Sequence, residues 1–338
     1  MTNPKRRGWL VVTIDTEEEG LWSGNYTSEA TVKNIAAIPR FQSLCDQFSI
    51  RPTYLITTPV AESPDAVKTL RSIHDAGRCE IGSHVHPWNS HPITSENTGA
   101  RDSYLCNLPP GMQYAKLEQL TETIERNFGR RPVSFRAGRY GMNATGINIL
   151  RNLGYLVDSS VLPRADYRNE GGPDFRSATC RPYFPSPDDI LNHSTDDSLL
   201  EIPVTAGFTH RYFEIADHLR QQAMLPPWRQ MRAVGILDRT GIATKVKLSP
   251  EQSTLSQMKR LARAVVIRGV PLLVLMFHSS SLLPGCSPYV KTEEDLSRFL
   301  KRLEYFFNYC VNDLGFPPAT LEDCFDQRDV LTTRPPRA

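Results

Sequence analysis

The 338-residue sequence contains no Cys-x-x-Cys pair, and its seven cysteines are scattered at positions 45, 79, 106, 180, 286, 310 and 324. An odd, unclustered set argues against a disulfide scaffold and a structural zinc knuckle, and favours a reducing compartment. Net charge is nearly absent, at +2 from 39 lysines and arginines against 37 acids. That removes the broad basic footprint expected of a nucleic-acid binder. No run approaches the roughly 20 apolar residues that span a bilayer. Near the start, the apolar run Trp9-Leu10-Val11-Val12 follows Lys5, Arg6 and Arg7 but is soon cut by Asp15, too short for the core of a secretion signal. The expectation is a cytoplasmic protein without stable membrane insertion. No fixed-period repeat is visible, which sets aside solenoids and propellers.

What is present is an ordinary folded composition, 40% apolar and 22% charged, organised as an alternation. Short, largely apolar runs at 9–14, 53–57, 79–83, 133–136, 155–158, 199–204 and 272–278 read as strands covered on both faces. Between them, 31–48, 64–76, 113–128, 143–153, 250–268 and 293–312 carry helical periodicity or helix stop signals. Seven strand–helix units predict a parallel sheet closed into a distorted seven-stranded (β/α) barrel, class α/β. The expected single domain covers 8–330, with tails at 1–7 and 331–338. The proline-bearing stretch 162–197 has no clean period and reads as an irregular insertion beside the barrel mouth.

Six expected strand ends carry polar or ionisable groups: Asp15 with Glu17, the Ser83-His84-Val85-His86 run, Arg136, Asp158, Glu201 and His278. In a parallel barrel all such ends open onto one face, where chemistry is placed. Taken singly, Asp158 reads as a turn cap, Glu201 as an edge charge and His278 as a core histidine. Six together at one relative position point to a site. His84 and His86, two apart on a strand, share a face. Two imidazoles and a carboxylate make a three-ligand metal site with an open position, and Asp15 and Glu17 are the available acids. His91, seven residues after His84, is a reserve ligand from a loop. His74, His193, His210 and His218 read as surface polar residues.

With these residues in place, the chain resembles the polysaccharide deacetylases, carbohydrate esterase family four. Val12-Thr13-Ile14-Asp15-Thr16-Glu17 is similar to the family's acid motif and Glu80-Ile81-Gly82-Ser83-His84-Val85-His86 to its histidine motif. Phe135-Arg136-Ala137-Gly138-Arg139-Tyr140-Gly141 matches the arginine motif, Asp158-Ser159-Ser160 the fourth, and Phe277-His278-Ser279 the fifth. Two departures stand out. Thr16 separates the two acids, and Trp88 occupies the place four after His84 where the family usually has its second histidine. His86 or His91 must then take that place, in a divergent spaced-acid, His-x-His-Pro-Trp subtype.

The resemblance implies a divalent metal, zinc before cobalt or nickel, on Glu17, His84 and His86. Asp15 is then the general base, His278 the acid protonating the leaving amine, and the backbone N–H of Tyr140 an oxyanion donor. Arg136 would pair with Asp15, and Asp158 would hold Arg136. The implied substrate is an N-acetylated sugar of a glycan or glycan precursor, with a lipid-linked or nucleotide-linked sugar favoured over a cell-wall polymer. Two other readings stay open. One is a metal-free hydrolase of the same barrel class, acting on a cyclic amide or, through Asp158 and Glu201, on a glycoside. The other is an inactive sugar-binding homologue, against which Asp15 and His278 speak.

Overall fold

The apolar runs form strands because nearly every residue in them is covered from both sides. In the computed structural model, which describes residues 8–23, 30–93, 99–228 and 230–333, they become β1 (Trp9–Thr16), β2 (Thr53–Ile56), β3 (Glu80–Val85), β4 (Ser134–Ala137), β5 (Val157–Asp158) and β6 (Leu200–Glu201). Three further strands follow the expected sixth: β7 (Ala206–Phe208), β8 (Lys245–Lys247) and β9 (Leu272–His278), with a short β10 (Pro318–Ala319). The helices are α1 (Ile38–Gln47), α2 (Thr58–Glu62), α3 (Pro64–His74), α4 (Pro110–Phe128), α5 (Ala144–Asn152), α6 (Phe213–Ala223), α7 (Ala233–Thr240), α8 (Leu255–Ile267), α9 (Glu293–Asn308), α10 (Leu321–Asp326) and α11 (Arg328–Thr332).

The seven expected strands lie in one parallel arc, ordered β9-β1-β2-β3-β4-β5-β6. This is the distorted (β/α) barrel, in a single domain. Its seam, between β6 and β9, has no continuous ladder. Two residues bridge it instead: Thr205 N–H donates to Val274 O at 3.2 Å, and Met276 N–H to Leu248 O at 3.1 Å. The short β10 pairs with Leu10 and Val11 on the β2 side of β1, plugging the floor. Alternation sorts the side chains. Val11, Leu55, Val157, Leu200, Leu272 and Val274 fill the interior, while Leu10, Val12, Ile14, Phe135, Leu273 and Phe277 pack outward against helices.

Several elements differ in extent from the sequence reading. The 31–48 pattern opens as a 3-10 turn at Lys33–Ala37, and α1 begins one turn later, because Pro39 is accommodated in a first turn. The 250–268 helix starts only at Leu255, where Thr254 and Gln257 form a capping box. The residues before it are drawn inward towards the site. The 162–197 insertion only half matches its expected place. Tyr167 stacks on Tyr140 near the mouth, at 6.0 Å between ring centroids. Further on, Arg181 donates to Gly269 O and Tyr183 bridges Glu201, so the chain descends the flank before returning as β6. Of the expected tails 1–7 and 331–338, residues 1–7 and 334–338 lie outside the described residues, while Leu331 is no tail residue but fully buried in the floor.

Candidate active site

Period two decides which side chains reach the mouth. On β1, Val11 faces inward, and so do Thr13 and Asp15. On β9, Leu272 and Val274 face inward, and His278 ends that row. The register pairs Asp15 with His278 directly. Arg136 follows the inward parity of β4, opposite His84 on β3. A cavity of about 350 Å³ opens over these ends, lined among others by Asp15, Glu17, Trp22, His84, His86 and His278.

Arg136 is wholly buried and each of its three side-chain nitrogens donates a hydrogen bond. It donates to Asp15 Oδ1 at 2.5 Å, to Thr13 Oγ1 at 3.0 Å, and to the carbonyl and hydroxyl of Ser159 at 2.9 and 3.0 Å. Burial alone would raise the Asp15 carboxyl. The guanidinium, with His84 and His278 nearby, outweighs it and holds Asp15 below the usual carboxylate range. Removing one partner of such a buried pair costs about 3–5 kcal/mol.

Asp158 does not hold Arg136, contrary to the sequence reading. Val157 and Leu200 take the interior positions of β5 and β6, so Asp158 and its register partner Glu201 face the outside of the sheet. Asp158 there accepts from the Ser160 hydroxyl. Burial and the charge of Asp158 push Glu201 well up. Neither acid lines the cavity. Ser159, one residue on, supplies the contact expected of Asp158.

The metal-ligand geometry gathers Glu17, His84 and His86. One atom from each lies within 4.8 Å of the others, and all three residues are buried. His84 Nε2 and His86 Nε2 stand 3.6 and 3.4 Å from Glu17 Oε2. A tetrahedral ion with bonds of about 2.0–2.2 Å separates its ligands by about 3.3–3.6 Å, so the set fits. The opposite ring nitrogens are engaged. His84 Nδ1 meets the Arg136 carbonyl at 2.8 Å, which fixes the tautomer and leaves Nε2 as the donor pair. His86 Nδ1 meets Glu18 Oε1 at 2.8 Å. Burial opposes the imidazolium of His86, but Glu18 and Glu17 raise it to about 10. Burial would likewise raise Glu17, yet His278, His84 and His86 lower it strongly.

Two of these supports escaped the sequence reading. Glu18 accepts from Asn89 at 2.5 Å and Thr57 at 3.1 Å as well as facing His86, and its place in a Glu17-Glu18-Glu19 run gave no sign of that. Glu251 accepts from His278 through both ring Nδ1 and backbone N–H, at 2.9 and 3.1 Å. His91 is not brought in: its Nε2 faces Glu62 at 3.6 Å, and its side chain is 40% exposed. Trp88 stacks on His86 at 4.3 Å instead of serving as a ligand position.

Tyr140 borders the cavity at the second of two consecutive left-handed residues, Arg139 with φ 54° and Tyr140 with φ 60°. Two side-chain-bearing residues in that region are strained, a feature concentrated at functional sites. At the rim Trp22 stands edge-on to His278 at 4.9 Å and is 39% exposed.

A family model described as polysaccharide deacetylase matches residues 36–157. That span holds His84, His86, Arg136 and Tyr140 but neither Asp15 nor His278. Among solved structures, one described as a polysaccharide deacetylase from Mycobacterium smegmatis is 16% identical with a TM-score of 0.56, covering 100% of this chain and 96% of its own. A glycoside hydrolase/deacetylase from Parabacteroides distasonis is 12% identical with a TM-score of 0.59, covering 96% and 73%. An allantoinase is 14% identical with a TM-score of 0.50, covering 99% and 96%. These similarities are similarities of fold. No curated protein matches the chain.

Proposed function

We propose that the chain is a polysaccharide deacetylase, the family whose model matches residues 36–157, and that it is a metal-dependent N-deacetylase acting on an acetylated sugar. The hydrolase class follows from the family. Metal dependence and the division of roles rest on the site, and the observation that carries them is the convergence of Glu17, His84 and His86 beside the Asp15–Arg136 pair. A divalent ion, zinc by preference, would be held by those three residues and would supply Lewis acidity that lowers the pKa of water to about 7.

The chain's own residues then divide the proton work. Asp15, kept ionised by Arg136, takes the proton of the attacking water. His278 is raised to about 9 despite burial, through Glu251 and Glu17. It is therefore charged at neutral pH and gives its proton to the leaving amine, closing the acid–base cycle. The Tyr140 backbone is the proposed donor to the tetrahedral oxyanion. Trp22 and Trp88 offer apolar walls to a sugar ring.

Acetate release from N-acetylated saccharides, followed through chelation and metal add-back, tests this reading. Activity should be lost with the chelator and restored by zinc or cobalt. Full turnover by the metal-stripped protein would favour the metal-free hydrolase instead.

A further inference from the structure

The largest exposed apolar feature lies away from the cavity. Between β7 and β8 the chain forms a helical hairpin, α6 and α7, in which only Phe213, Ala216 and Ala223 of α6 and no residue of α7 are buried. Its exposed apolar residues are dense along the chain. Tyr212, Ile215 and Leu219 form one helical stripe, 38–60% exposed. The connection adds Met224, Leu225, Trp228 and Met231, each more than half exposed, and Ile236 continues it on α7 at 57%. Soluble surfaces carry single exposed apolar residues, but a contiguous patch of this size marks an interaction.

Charge says what it meets. From Thr209 to Lys247 there are seven lysines and arginines against three acids, whereas the whole chain carries +2. No acid lies between Asp217 and Asp238, so the tip is apolar and basic. Arg232 and Arg239 are exposed and make no ion pair among the described residues. Exposed tryptophan, leucine and methionine with arginines nearby in the chain are the signature of an interfacial anchor, with apolar side chains in the acyl boundary and arginines at phosphate level.

We propose that the α6–α7 hairpin docks the protein on an anionic lipid surface. The chain lies on the membrane and does not cross it: among the described residues no helix is long and apolar enough to span a bilayer. The anchor is built on the wall of the cavity, because Lys247, at the foot of the β7–β8 ribbon, stands over the Tyr140 ring at 5.8 Å. Docking would thus hold the mouth near the surface. The inference is independent of the reaction proposed above.

Co-flotation of the full chain with vesicles tests it directly, using phosphatidylcholine alone and phosphatidylcholine with phosphatidylglycerol. Binding should favour the anionic vesicles and weaken as salt rises. Arg232→Glu with Arg239→Glu should lower it roughly tenfold or more, and Leu225→Ser with Trp228→Ser should do the same on both vesicle types. All four side chains are exposed, so the thermal midpoint should not move. Equal flotation of these variants and the parent would overturn the proposal. So would a concentration-dependent dimer that the same substitutions dissolve, since the patch would then belong to a second copy.

Discussion

Glu251 clasps His278 through two atoms of the same residue, the ring Nδ1 at 2.9 Å and the backbone N–H at 3.1 Å. The clasp fixes the ring orientation and supplies the negative charge that outweighs burial. Ser281 donates to the same carboxylate at 2.6 Å, so Glu251 is itself held. It acts on the reaction through His278 and is a positioning residue.

Glu251→Gln should therefore move a pH limb. With its pKa raised to about 9, His278 is protonated, and able to act as acid, at pH values below that. Replacing the carboxylate removes the main charge that raises it, so the alkaline limb should shift to lower pH. With the pKa back at the ordinary value of about 6.5, kcat at pH 8 should fall by roughly 30-fold, with KM and metal content little changed. The stability sign agrees: a raised histidine contributes fully below its unfolded value of about 6.5 and loses that contribution as pH rises through about 9. An unmoved alkaline limb would assign it to another group.

Glu18→Ala should weaken metal binding without removing a ligand. Glu18 holds the far nitrogen of His86, and losing such a support typically costs about 10–100-fold in metal affinity. Competition with a chromogenic chelator measures it, with Glu62→Ala as the control, because Glu62 faces the non-ligand His91. Equal affinities in the two variants would remove Glu18 from the site.

Gly138→Ala probes the close approach behind His86. A Cβ there would lie 2.4 Å from His86 Cδ2 and 2.8 Å from the Val85 carbonyl. The backbone oxygen cannot yield, so the ring must shift, at about 1–3 kcal/mol for overpacking. Both the thermal midpoint and zinc affinity should drop. Gly111→Ala in α4, with nothing within 4 Å, should leave zinc affinity unchanged and the thermal midpoint equal or slightly higher.

The residues on the strands were legible because two signals coincided. Apolar runs located the strands, and each run ended in a group that chemistry can use. Asp15, His84, Arg136 and His278 were found this way, and parity carries all four inward. The same parity explains the miss at Asp158: a strand of two residues gave too little alternation to tell its faces apart. Glu251 was hidden by distance, lying 27 positions before His278 in what read as the start of a helix. The β7–β8 ribbon was unreadable for a related reason, since three-residue strands carry almost no periodic signal.

Asp15 and Glu17 stand two residues apart on the same stretch, yet the geometry gives them different tasks, and substitutions should separate them. Asp15 is paired with Arg136 and lies 4.0 Å from His278 Nε2, whereas Glu17 faces both ligand imidazoles. Asp15→Asn keeps the shape but loses the base. Turnover should fall by about 10²–10⁴-fold while zinc content stays near that of the parent, because Glu17, His84 and His86 are intact. The neutral amide also leaves Arg136 buried without its counter-charge, so a lower thermal midpoint should accompany the loss of activity. Glu17→Gln removes an anionic ligand instead. Zinc occupancy should fall, and activity should partly recover as zinc is raised, which Asp15→Asn cannot do. Metal analysis of the two purified variants decides the matter. If Asp15→Asn arrives without metal and Glu17→Gln retains it, the base and the ligand are exchanged.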